Sequence, residues 1–361
     1  WGDVEIGDYS EKMEKFGISP VEEIADRMPD HRYIRRGILF GHRGMKDYLD
    51  AYEEDEEVAV ITGIMPSGLF HFGHKIVVDQ VLMYQEMGAE VTLTAADIEA
   101  HNTRDMSLEK ARELVIDQYL TNYVALGLDL ENTDFYFQSQ GGNDYHTRSK
   151  LFSRHLTQNE VEATYGSAEP SKISSALTQY ADILRPQFEE NGGPRPTVVP
   201  VGIDQDPHIR LTREVARKYR AEDFVKPAST YNKFMRGLQG GKMSSSDEKS
   251  YISLTDSVED AKQKIDEAKT GGRDTLEEHR EMGAKIEEDM VFELLAFHLI
   301  EDDDELARIR REYTSGEMLS GELKQIAKDR IEEFLVEHQR KREEAREVVE
   351  QYVEENVEGQ N

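Results

Sequence analysis

A chain of 361 residues is long for one simple domain, so two are expected. It contains no cysteine, which excludes disulfides, thiolate metal sites and cysteine nucleophiles, and no apolar stretch reaches the length of a bilayer span. Asp and Glu number 74 against 44 Lys and Arg, a formal net charge of -30.

The acidic residues recur inside helical patterns as well as loops. They read as a solvated coat of the kind tolerated at molar salt, where self-repulsion is screened, which points to a halophilic protein. Mimicry of an acidic partner is the alternative. Such a charge opposes long-range attraction to nucleic acid, yet at molar salt local arginines and shape can still hold an RNA. Without a signal-peptide pattern, the expected setting is cytoplasmic, with no membrane partner.

Residues 1–55 read as an N-terminal extension with a helix near 44–53. From Glu57 onward strands and helices alternate: a strand at Val58–Ile61, a helix over 73–87, a strand over 90–95, a helix over 108–126 and a strand over 134–138. A mostly helical stretch runs to about Leu184, the loop Asn191-Gly192-Gly193-Pro194 follows, and 197–202 is another strand. This rhythm predicts an α/β fold, a doubly wound parallel sheet of Rossmann-like type, with ligands at the carboxyl ends of its strands. His71, Asp97, Glu99 and Asp204 all lie just past such ends.

A Gly-rich polar loop occupies 237–246, and beyond Asp256 or Ser257, either a plausible N-cap, the chain turns helical. Gly271-Gly272 breaks the first helix, and segments over 286–300, 304–313 and 321–353 follow, the last rich in opposite charges at helical spacing. The expected division is an extension (1–55), a catalytic domain with a helical insertion around 140–180 (56–255), and a helical domain (256–361).

Two short segments carry the chemistry. Pro66-Ser67-Gly68-Leu69-Phe70-His71-Phe72-Gly73-His74 leads from a strand into a helix, whose N-terminus offers free N–H groups to a phosphate; two histidines three residues apart can face it. Gly241-Lys242-Met243-Ser244-Ser245-Ser246 adds one lysine and three hydroxyls on a loop. Together they predict adenylate chemistry.

The pair resembles the signature of the class I aminoacyl-tRNA synthetases. The resemblance implies that His71, His74 and Lys242 are catalytic, and that Ser67, Gly68, Gly73, Gly202, Asp204, Lys242, Met243, Ser244 and Ser245 bind ATP, while an amino-acid carboxylate attacks the α-phosphorus. No covalent enzyme intermediate is implied; positioning and positive charge supply the catalysis. The usual family pattern has a second lysine where this chain has Ser245, so one cation is missing from the loop.

Further segments resemble tryptophanyl-tRNA synthetases in particular. They are Gly202-Ile203-Asp204-Gln205-Asp206-Pro207-His208, Gly271 to Arg280, Glu301-Asp302-Asp303-Asp304 and Tyr313 to Lys324. The resemblance covers roughly residues 35–355. It places Ile61 and Thr94 where the archaeal and eukaryotic enzymes use a tyrosine and a glutamine against the indole N–H. Ser175 to Leu184 instead resembles the bacterial segment, in which Asp182 matches the aspartate that accepts that N–H. An indole offers one donor and no acceptor, so a buried carboxylate is a fitting reader. Glu99, Gln179 and Gln205 are expected to line the pocket and hold the α-amino group or carboxylate.

Asp182 does not separate tryptophan from tyrosine, because archaeal tyrosyl enzymes place an aspartate there for the phenol; the C-terminal blocks favour tryptophan. The family implies L-tryptophan, ATP and Mg2+, tRNA(Trp) as partner, a homodimer formed through the helical insertion, and a C-terminal domain reading the anticodon. No resident metal ligand is expected. Arg308, Arg310, Arg311 and the 340–346 cluster are either tRNA contacts or a salt-bridged helix face. A tyrosyl enzyme, a small-molecule nucleotidylyltransferase and a non-catalytic RNA-binding paralogue are the alternatives.

Overall fold

The computed structural model describes residues 9–241, 243 and 247–358. Its strands are β1 (Ser19–Pro20), β2 (Leu39–Arg43), β3 (Ala59–Ile64), β4 (Glu90–Ala95), β5 (Thr133–Phe137), β6 (Thr197–Gly202) and β7 (Ala228–Asn232). They form one seven-stranded sheet in the order β1-β2-β7-β6-β3-β4-β5. The five strands from β7 to β5 run parallel, and β2 and β1 extend the β7 edge antiparallel. Parallel strands covered on both faces need continuous apolar sequence, which Ala59-Val60-Ile61 supplies with every side chain buried.

Strand order reverses between β3 and β6. That reversal makes their carboxyl ends the switch point where such sheets bind ligands. Pro66-Ser67 and Ile203-Asp204 leave from these two ends.

The connection from β4 to β5 contains a helix at Asp97–Arg104, then a helical run from Leu108 to Leu126 interrupted by the π-helical turn Val115–Leu120. Between β5 and β6 lie helices Gly142–Phe152, Gln158–Tyr165 and Pro170–Leu184. The second starts at a capping box of Thr157 and Glu160, and the third opens with proline in its first turn. Tyr145 and Phe152 of the first pack with Ala176, Tyr180, Ala181 and Leu184 of the third in one buried cluster.

By internal contacts the chain divides into two compact units, one of residues 1–67, 77–233 and 346–361, the other of residues 68–76 and 234–345. This differs from the division expected from sequence in four places, one being that residues 234–255 join the helical unit. Residues 1–55 are not a mere extension: β2 pairs with β7, and Arg43 binds the buried carboxylate of Asp206 at 2.8 Å. The segment 68–76 belongs with the helical unit, because Leu254 N–H donates to Phe70 O (3.0 Å) and His71 bridges Ser253. The tail returns to the first unit, where the Tyr352 hydroxyl donates to the Thr133 carbonyl at 2.6 Å.

The polar sequence Ser229-Thr230-Tyr231-Asn232 hid β7. Its side chains are buried because they bond internally: Asn232 accepts from Gln80 (3.1 Å), and the Tyr231 hydroxyl donates to Asp206 (2.6 Å).

The second unit contains helices Val258–Glu267, Leu276–Met282, Met290–Leu294 and Asp303–Thr314, and most of Ser320–Val353. Ser257 caps the first. Asp289, fully buried, gathers the rest: it accepts from Gly271 N–H (2.8 Å), the Tyr313 hydroxyl (2.7 Å) and Phe292 N–H (2.8 Å). Among the described residues no helix is long and apolar enough to cross a membrane.

Candidate active site

Of the first signature, Gly68 to His74 lie in the second unit. His71 Nδ1 accepts from Gly73 N–H at 3.1 Å, and His74 Nδ1 accepts from His71 N–H at 3.2 Å. With both Nδ1 atoms accepting, each neutral imidazole carries its proton on Nε2 and is a donor there. The rings lie 3.8 Å apart between centroids, and Phe70 stacks on His74. Burial holds His71 down at about 4; burial, and then the neighbouring His71, hold His74 well below its ordinary value. At neutral pH the pair is therefore uncharged, with a proton on each Nε2.

Two glycines explain the local geometry. Gly68 has φ 152°, in a region that side chains disfavour. A Cβ on Gly73 would stand 2.9 Å from His71 Cε1 and 3.0 Å from Met243 Sδ. Met243 of the second signature thus sits against the first. Lys242, Ser244 and Ser245 lie outside the described residues.

The first unit holds the other expected residues. Ser67 N–H donates to the Tyr119 hydroxyl at 3.3 Å, and Tyr119 comes from the π-helical turn. Gly202 ends β6, and Gln205 Nε2 donates to Asp204 at 3.2 Å. Gln179 accepts from the Tyr165 hydroxyl at 2.8 Å.

Asp182 is buried on the Pro170–Leu184 helix. Its Oδ1 accepts from the hydroxyls of Tyr136 (2.8 Å) and Tyr145, and its Oδ2 from Gln138 Nε2 (2.8 Å). Thr94 donates to the Tyr136 hydroxyl at 2.6 Å, and Gln138 Oε1 accepts from Glu99 N–H at 3.3 Å. Burial pushes Asp182 up to about 6 against these donors and Arg185. Glu99 rises to about 7, through burial and then the charge of Asp182. Ile61 packs with Ile183, Val199 and Ile209 in an apolar cluster.

Sequence reading missed Tyr136, Gln138, Tyr145 and Tyr119. They come from separate segments, and only the folded sheet brings them to Asp182 and Ser67. Arg308 is paired with Glu312 (3.0 Å) and Arg340 with Glu337 (2.8 Å) and Glu344, so the salt-bridged reading of these helix faces holds for both.

The description "tRNA synthetases class I (W and Y)" matches residues 53–336. A tryptophan–tRNA ligase of Methanocaldococcus jannaschii is 44% identical over 354 residues, covering 96% of this chain and 95% of that relative. The chain belongs to the tryptophan–tRNA ligases. Another member of this ligase family, from Aeropyrum pernix, is 45% identical over 98% of the chain and 97% of its own length. The crystal structure of tryptophanyl-tRNA synthetase from Aeropyrum pernix superposes with a TM-score of 0.93, covering 99% of this chain and 98% of that one. A tryptophanyl-tRNA synthetase from Encephalitozoon cuniculi, solved bound to tryptophan, is 26% identical with a TM-score of 0.80, covering 94% and 96%. Within the ligase family, the blocks Gly271 to Arg280 and Tyr313 to Lys324 have a structural role in this chain. His279 Nε2 meets the Met318 carbonyl at 2.8 Å, and Arg280 donates to the Gly316 carbonyl at 2.8 Å.

Proposed function

We propose that this enzyme joins L-tryptophan to ATP, giving tryptophanyl-AMP and pyrophosphate, and then transfers the tryptophanyl group to tRNA(Trp). The tryptophan carboxylate attacks the α-phosphorus and the bond to pyrophosphate breaks. A terminal ribose hydroxyl of the tRNA then attacks the mixed anhydride, and AMP leaves. The observation that carries this reading is the meeting of both signatures at Gly73, beside two neutral histidines whose Nδ1 atoms accept from backbone N–H groups, which leaves the ring proton on Nε2.

In this reading His71 and His74 hydrogen-bond phosphate oxygens as charge builds on the departing pyrophosphate, and Lys242 supplies the loop's cation. Ser67, Gly68, Gly73, Gly202, Asp204, Met243, Ser244 and Ser245 cradle the nucleotide. Glu99, Gln179 and Gln205 take the polar groups of tryptophan, and Asp182 takes the indole N–H. Neutral imidazoles and hydroxyls are a poor cage for a hard cation, so Mg2+ enters as part of the MgATP substrate. The enzyme acts in the cytoplasm as a homodimer. The helical insertion forms the contact, in keeping with exposed Leu151 on helix Gly142–Phe152. Residues 256–361 read the anticodon.

Pyrophosphate exchange into ATP, run in parallel with tryptophan and tyrosine, tests the reaction. Exchange is expected with tryptophan, and His74→Ala should slow it at least about tenfold. Exchange with tyrosine alone would overturn the assignment, and a normal rate in the variant would remove His74 from the machinery.

A further inference from the structure

The group that reads the indole is surrounded by donors belonging to the protein. An ionised carboxylate offers about four lone-pair directions. At Asp182 three are engaged, by Tyr136, Tyr145 and Gln138, which come from β5, helix Gly142–Phe152 and the turn after β5. The hydroxyls are themselves committed: Tyr136 donates to Asp182 while accepting from Thr94, and Tyr145 donates to Asp182. One acceptor direction remains, and no hydroxyl donor of the cluster is left over.

We propose that Tyr136 and Tyr145 are specificity-determining positioning residues: they leave Asp182 one acceptor direction and no spare hydroxyl donor, so the pocket favours a ring with a lone N–H over a ring with a hydroxyl. A phenol can give its proton to Asp182 as an indole does. Its oxygen then needs a donor for its own lone pairs; the hydroxyls are committed and the Gln138 amide is fixed by Asp182 and Glu99, so the phenol oxygen is buried poorly matched, which is unfavourable. An indole nitrogen has no such need. The carboxylate alone cannot separate the two amino acids; the donors around it can. This inference rests on the reading that Asp182 takes the indole N–H.

The charged and titratable groups facing the carboxylate are few. Tyr136 and Tyr145 donate to it, and Glu99 raises its own value against it. Arg185, which pairs with Asp134 at 2.9 Å and lies 3.8 Å over the Tyr136 ring, favours its ionised form. Loss of either tyrosine hydroxyl removes stabilisation of the ionised form, so the carboxylate protonates at higher pH.

The test uses the full chain with tryptophan, tyrosine and the analogue in which sulfur replaces the indole N–H. Tyr136→Phe frees the Thr94 hydroxyl and should raise the tyrosine-to-tryptophan ratio of kcat/KM at least about tenfold. Tyr145→Phe should raise KM for tryptophan about tenfold with KM for ATP unchanged, and should move the acid limb of kcat/KM to higher pH. Circular dichroism confirms folding of each variant, and the two readouts are judged together. If both keep the wild-type ratio and limb while Asp182→Asn weakens tryptophan, the donor cage is refuted and the Asp182 reading survives. If Asp182→Asn and the sulfur analogue both match wild-type tryptophan kinetics, the Asp182 reading itself fails.

Discussion

Burial raises two carboxyls of the first unit, the buried Asp182 and the half-buried Glu99. Asp182 stands at about 6 and Glu99 at about 7, so the pair is partly protonated just below neutrality. On the proposal that Glu99 takes the α-ammonium, KM for tryptophan should rise as pH falls through this range, because protonation removes the acceptor. Glu99→Gln should raise KM about tenfold at pH 8 and flatten that dependence; an unchanged profile would show that Glu99 is not the acceptor. Stability runs the other way. The folded state holds a proton on Glu99 that the unfolded chain releases near 4.5, so stability declines as pH rises from there to about 7. At this scale the sequence named candidates: His71 and His74 through motif spacing, and Asp182 through the family resemblance. It did not show their partners, since Tyr145 lies 37 positions from Asp182 and no local pattern joins them.

At the level of elements, the periodicities that bury an apolar stripe were the readable ones. The strand at 90–95 and that at 197–202 were found where the structure has them, and Ser257 caps its helix as one of the two expected candidates. β7 was missed because its polar side chains are buried by bonding inward, which inverts the usual pattern. β2 was missed because Leu39-Phe40-Gly41-His42-Arg43 is short and mixed in character. The glycine-rich C-terminal blocks were read correctly as markers of family, but the structure gives them a mechanical task around Asp289. Asp289→Ala should destabilise the protein by about 3 kcal/mol or more, because Gly271 N–H, Phe292 N–H and the Tyr313 hydroxyl lose their acceptor together. Denaturant unfolding followed by circular dichroism measures this; a loss below about 1 kcal/mol would mean that water replaces the carboxylate.

For the whole molecule, charge sets the conditions under which the fold persists. A net charge of -30 opposes compactness in dilute buffer, and salt shortens the reach of that repulsion. Raising KCl from about 0.1 M to about 1 M shrinks the screening length from about 10 Å to about 3 Å. We expect the unfolding temperature to rise by at least about 5 °C over that interval, and a flat or falling curve would reject an acidic coat adapted to salt. The partition into two units has a further consequence, for how such a gene can change. The second unit takes residues 68–76 from the middle of the first, and the first takes back residues 346–361 from beyond the second. A fragment covering 234–345 alone would arrive without the strand-like stretch that pairs with Ser253 and Leu254. Neither unit is therefore a cassette that recombination can lift out and graft elsewhere by a single cut and join, and the two are inherited together.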